Sequence, residues 1–145
     1  MLAFVARALP GPLAIAAFFL PWAHGSGPLS ATEFSGYRLV RFTGALQQLD
    51  LSVAEGGALW VLRIAIVLVP VAGAWQAVLA PAHRWHPAYA ASGLYLVLFA
   101  AVAVGTGLSR SGLGSPAPGV ALLAASAAMF VVSNAPGIVR TTRGR

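Results

Sequence analysis

Cysteine and lysine are both missing from this chain, and only three of its 145 residues are carboxylates. Without a thiol there is no disulfide, no iron–sulfur cluster and no thiolate zinc site. The nine positive charges are all arginine, a bias that fits a GC-rich genome together with the abundant Ala, Gly and Pro. The three acids, Glu33, Asp50 and Glu55, lie close together in the chain, and no long apolar run contains one. Ion-coupled transporters and proton relays need an ionisable group at membrane depth, so the sequence argues against both. Charged residues make up 8% of the whole, where a soluble domain carries about a quarter.

What fills their place is apolar. Hydrophobic residues account for 59% of the chain and the mean hydropathy is +0.82. A soluble fold of this size has too little interior to hide that surface, so the expected solvent is lipid. The pI near 11.5 does not point to nucleic acid, because no basic run is interleaved with aromatics. It reflects arginines flanking apolar segments.

A helix needs roughly 20 apolar residues to cross a bilayer. Four segments approach this, over about 8–24, 57–80, 88–108 and 118–139. The expected fold is therefore an all-α integral membrane protein, a single four-transmembrane-helix bundle over residues 1–145 with an ordered outer loop at 25–56. Arg7 followed by a compact apolar region also has the shape of a cleaved signal peptide; a retained helix is the expectation. Ser52 and Glu55 form a capping box ahead of the second segment, and Pro70 should kink it. In the fourth segment Ala121/Ala125 and Ala124/Ala128 are small residues four apart, suited to close helix contact. Gly93, Gly105 and Gly107 offer the same in the third.

Arginine favours the cytoplasmic side of a membrane. With the N-terminus inside, the inside holds Arg7, Arg84, Arg140, Arg143 and Arg145, while Arg38, Arg41 and Arg110 outside are offset by the three acids. This predicts a multi-pass protein of a bacterial cytoplasmic (inner) membrane, both termini cytoplasmic.

Little in the chain suggests catalysis. No Ser-His-Asp grouping, carboxylate pair, P-loop or Rossmann glycine pattern is present, and no enzyme activity is expected. Arg63, inside the second segment and nearer its outer end, reads either as a tether to the outer loop, reaching Glu55, Asp50 or Glu33, or as a lipid-headgroup or anion contact. His24, His83 and His86 are the weak metal or haem candidates. His24 is expected at the outer end and the other two at the inner turn, so they cannot share one iron. No cofactor is predicted from this chain alone, which leaves haem or pigment shared with a second subunit. Arg84 and Trp85, with Trp75 and Tyr89, read as an anchor at the inner interface.

The outer loop is long for a connector, and long loops are often functional. Either Ser30 or Ser35 caps a helix there, with a small β-hairpin before the helix, around Leu29–Phe34, as a further expectation. From Tyr37, Leu39, Val40, Phe42, Leu46 and Leu49 alternate with Arg38, Arg41, Gln47 and Gln48, the pattern of an amphipathic helix at an interface. Leu20-Pro21-Trp22, followed by Ser35-Gly36-Tyr37-Arg38-Leu39, resembles an LPW…SGYxL pattern of small four-span bacterial membrane proteins of unknown function; the resemblance covers only helix one and the loop and implies no activity. The layout is also similar to claudin-like tetraspans, but the paired loop cysteines are missing and nothing is carried over. Trp22 is read as a headgroup anchor, and Trp22, Glu33, Ser35, Gly36, Tyr37 and Arg38 as the surface for recognition. The expected role is a non-catalytic accessory or scaffolding subunit of a larger bacterial membrane complex. Its partners would be lipids and other membrane subunits, or further copies of itself. The alternatives are a carrier of a lipid or apolar small molecule within the bundle, and an electron-transfer subunit sharing haem.

Overall fold

The computed structural model describes residues 7–24, 33–49, 52–80, 86–109 and 117–142, with residues 24, 107–109 and 135–142 described in backbone only. Helix α1 runs Pro10–Phe19, strand β1 Pro21–His24, strand β2 Glu33–Ser35, helix α2 Gly36–Leu46, α3 Val53–Leu79, α4 Pro87–Ser109 and α5 Pro118–Thr142. The protein is mainly helical, as expected. Ser30, Asp50, His83, Arg84, Trp85 and Arg110 lie outside the described residues.

The expected first span, 8–24, is split. A residue before proline is biased out of the helical region, and Leu20, preceding Pro21, is extended (φ −80°, ψ 155°). Its N–H closes the last turn on Ala16 O at 3.2 Å, and the chain then enters β1. The hairpin therefore forms earlier than expected. β1 pairs antiparallel with β2 in the register Pro21↔Ser35, Ala23↔Phe34 and His24↔Glu33, with an irregularity between Pro21 and Ala23. Ser35 ends β2 and caps α2, its hydroxyl accepting from the Arg38 N–H at 3.3 Å. That satisfies a donor that the first helical turn leaves free.

The Ser52–Glu55 capping box forms, and α3 begins at Val53 rather than 57. Glu55 accepts from both the backbone N–H and the hydroxyl of Ser52, at 3.1 and 2.7 Å. The helix continues through Pro70 for 27 residues. Pro70 has no N–H to give the carbonyl four residues back, Ile66, and one residue earlier the Tyr95 hydroxyl of α4 donates to Ala65 O. Two helical stretches, Val53–Leu79 and Pro87–Thr106, are long and apolar enough to cross a membrane. The other expected spans contain shorter apolar stretches, Pro10–Phe19 and Pro118–Asn134.

Helix α1 packs on α3 and α5, and α4 packs on the same two helices. Pro10 and Gly11 meet Ser126 and Gly73, while Leu20–Trp22 meets Gly119, so α1 runs antiparallel to both neighbours. Gln76 meets Tyr89 while Tyr95 meets Ala65, which makes α3 and α4 antiparallel as well. The shared core consists of Ala14, Ala17, Val69, Ala72, Leu96, Ala100, Leu123 and Ala127. A Cβ on Gly11 would stand 2.5 Å from Gly73 O, so α1 and α3 touch backbone to backbone. The alanine pairs expected to pack in α5 do not: Ala121, Ala125 and Ala128 face outward. The inward face is Gly119, Val120, Leu123, Ser126 and Ala127. A helix apolar all round does not announce its inner side by pattern. Gly93 does pack, beneath the Phe130 ring, whereas Gly105 faces open space.

Candidate functional site

The end of the molecule formed by β1, β2 and α2 is a cap built around Trp22. In a continuing helix the N–H of residue 21 would bond the Ala17 carbonyl, but residue 21 is proline. The indole Nε1–H of Trp22 supplies that bond instead, at 2.6 Å. Its ring lies 5.6 Å from Phe99 of α4 and covers two glycines. A Cβ on Gly36 would come within 2.7 Å of Phe18 Cδ2 and 2.9 Å of Trp22 Cζ2, and one on Gly119 within 2.5 Å of Trp22 Cδ1. Trp22 therefore joins α1, α2, α4 and α5, and is not free to serve as the expected headgroup anchor.

This geometry divides the residues expected to carry recognition. Trp22, Ser35 and Gly36 hold the cap together, and Ser35 and Gly36 are buried. Glu33, Tyr37 and Arg38 are exposed. Arg38 Nη1 donates to the Glu33 carbonyl at 2.9 Å, bridging β2 to α2, and the Tyr37 ring is 6.2 Å from that of Phe19.

α2 rests on the body through small and polar residues: Gly36 and Thr43 are buried, and Gly44 and Gln47 half-buried. Leu39, Val40 and Leu46 are half-buried as well. Leu39, Phe42, Leu46 and, just past the helix, Leu49 recur at helical spacing, and Phe42 and Leu49 remain 47% and 58% exposed. Phe34 extends this flank, its ring 5.9 Å from that of Phe42. Arg38 and Arg41 occupy the outward side. The expected amphipathic helix is present, with its apolar stripe only partly used in folding.

Arg63 sits where α3 meets α2. Its Nη1 donates to Gln47 Oε1 at 3.3 Å, and its guanidinium lies 5.7 Å from the Trp60 ring centroid. A Cβ on Gly44 would be 3.4 Å from Nη1, an ordinary van der Waals contact, so α2 meets the arginine at this residue. The tether is thus made to a neutral amide, and no carboxylate of the described residues lies within ion-pair distance. Two shallow, open hollows lie on the outer side of α3, one lined by Trp60, Arg63 and Ile64 and one by Val71 and Trp75.

At the opposite end, polar residues that no sequence motif marks hold the helices together. Gln76 is fully buried and donates through Nε2 to Tyr89 O at 2.6 Å and to Ser92 Oγ at 2.9 Å. Ser126 donates to Pro10 O at 2.7 Å. Gln76 Oε1 and the Tyr89 hydroxyl are buried without a partner. Tyr89 is 2% exposed, its ring against Phe130, so it is not the interfacial anchor expected. A lone glutamine within an apolar run is the one sequence signal for this lock.

Among the described residues no group of three His, Asp or Glu side chains could hold a metal ion. His86 is exposed immediately before α4, and His24 belongs to β1. No protein family, curated protein or solved structure matches the chain.

Proposed function

We propose that this chain is a four-transmembrane-helix bundle of a bacterial cytoplasmic membrane, with α1, α3, α4 and α5 in the bilayer, the cap outside and both termini cytoplasmic. It acts without catalysis, as a small accessory or scaffolding subunit of a larger membrane complex. The observation that carries this reading is an inside-out sorting of side chains. Most buried residues are small or polar (Ala, Gly, Ser, Thr, Gln), packed around Phe18, Ile66, Val69, Tyr89, Leu96, Val120 and Leu123, while Trp60, Val61, Ile64, Trp75, Leu94, Leu98 and Val102 point outward. Water would penalise so large an apolar perimeter, and lipid would not. Close contact of small residues and buried polar bonds is also how helices associate in lipid.

The subunit role draws on the cap. Its outward residues Tyr37, Arg38, Arg41 and Phe42 combine aromatic area with guanidinium groups, the types enriched in protein interfaces. A carrier of apolar molecules within the bundle has less support, since core residues fill the interior and the two shallow hollows lie on the outer side of α3.

The absence of cysteine makes the topology directly testable. Tyr37→Cys and Gln48→Cys should react with a membrane-impermeant maleimide on intact cells, and His86→Cys only after permeabilisation. The reverse pattern would invert the topology, and recovery of the protein in the soluble fraction would end the membrane reading. Purification in mild detergent should bring down a protein partner at fixed stoichiometry. A monodisperse monomer would rule out the subunit role.

A further inference from the structure

Helix α3 carries a shallow, open trough along its outer side, lined by residues of α3 alone. The upper part is a hollow of about 300 Å³ lined by Trp60, Arg63, Ile64, Val67 and Leu68. The lower part, about 350 Å³, is lined by Val71, Ala74, Trp75 and Val78. These positions recur every three or four residues, so they form one stripe along the helix. Trp60 and Trp75 are 55% and 51% exposed and stand fifteen residues apart, about 22 Å along the axis. Among the described residues, the only charged group lining the trough is the Arg63 guanidinium, near the cap end.

We propose that this trough binds one phospholipid with an anionic headgroup, its phosphate against Arg63 and an acyl chain running from Ile64 toward Trp75. The assignment rests on the membrane reading above. Charge complementarity selects the occupant. Arg63 is half-buried, bonded to the neutral Gln47, and has no carboxylate partner among the described residues. A guanidinium in apolar surroundings is costly without a counter-charge, and it matches phosphate geometry closely. A second copy of the chain would not serve: its only acids are Glu33, Asp50 and Glu55, all outside the stripe from Trp60 to Val78. Trp60 stacks toward the guanidinium and marks headgroup depth.

The test is native mass spectrometry of the full chain released from nanodiscs containing equal phosphatidylglycerol and phosphatidylcholine. Wild type should retain one phosphatidylglycerol in clear preference to phosphatidylcholine. Arg63→Gln should reduce that preference about tenfold, as expected for loss of one charge-assisted contact. Arg38→Gln should preserve it. Val67→Trp leaves the arginine in place but fills the hollow; it should lower retention of both lipids, and it covers the case in which Arg63→Gln fails to fold. Equal retention of the two lipids by wild type, an unchanged preference in Arg63→Gln, or a lipid-free dimer joined through α3 would each overturn the site. Displacement of the lipid by inorganic phosphate alone would overturn the role of the acyl chain. Failure to enter nanodiscs at all would instead refute the membrane reading on which the site depends.

Discussion

The indole N–H of Trp22 lies 2.6 Å from the carbonyl of Ala17, in the place of the backbone donor that Pro21 lacks. Leu20, Pro21 and Trp22 thus act together: the proline stops the helix and the tryptophan repairs the bond it removes. This is a sufficient physical reason for the residue order Leu-Pro-Trp, with no ligand involved.

Trp22→Phe keeps an aromatic ring beside Phe99 but strands the Ala17 carbonyl. We expect a loss of about 1–3 kcal/mol, the usual cost of an unsatisfied buried acceptor. In a Pro21→Ala background a backbone N–H is available again, so the same substitution should cost less. A double-mutant cycle by equilibrium unfolding in mixed micelles measures the coupling; strict additivity would show that the indole and the backbone donor do not replace one another.

Gly36→Leu and Gly119→Leu each place a side chain where Trp22 already sits. Overpacking of this kind costs about 1–3 kcal/mol, occasionally more. Gly57→Leu, which meets nothing within 4 Å, serves as the control. Thermal melting in detergent should order the three variants with Gly57→Leu nearest wild type.

Gln76 offers a contrast between two substitutions. Gln76→Leu gives up two donated bonds but also removes the unpartnered Oε1, so a change below about 1 kcal/mol is expected, in keeping with the modest worth of polar contacts between membrane helices. Gln76→Glu sets a carboxylate against the Tyr89 carbonyl, and an uncompensated buried charge should cost about 3 kcal/mol or more at neutral pH. Equal stability of the two variants would show that water reaches this position.

The helix caps make a local prediction. Ser35→Ala removes the acceptor for the Arg38 N–H, and Ser52→Ala that for the Glu55 N–H. Each should cost about 0.5–2 kcal/mol. Hydrogen exchange should show faster amide exchange in the first turn of the affected helix alone. Uniformly faster exchange through both helices would mean that the cap and α3 unfold as one unit.

Features set by near neighbours in the chain are legible in the residue pattern alone. The Ser52–Glu55 box is a four-residue pattern, α4 runs Pro87–Ser109 against an expected 88–108, and the alternation from Tyr37 marks α2. Features set by distant residues are not legible in this way. Pairing of Pro21 with Ser35 and the contact of Trp22 with Gly119 join parts of the chain that sequence spacing does not relate. The alanine pairs of α5 mislead because an all-apolar helix carries no periodic trace of its inner side, which is decided by where Pro10 and Trp22 stand. The sequence places Arg63 at the meeting point of the second segment and the loop, but with carboxylates as the expected partners. Gln47 and Gly44, a neutral amide and an absent side chain, make the contact instead.

The stop at Leu20 has a mechanical consequence for that end of the bundle. A helix satisfies its own backbone, whereas a two-stranded sheet leaves one edge of each strand unpaired by the other. In the topology proposed here those edges would have to be met by water or lipid headgroups, so the corner at Pro21 could not sink into hydrocarbon without losing hydrogen bonds.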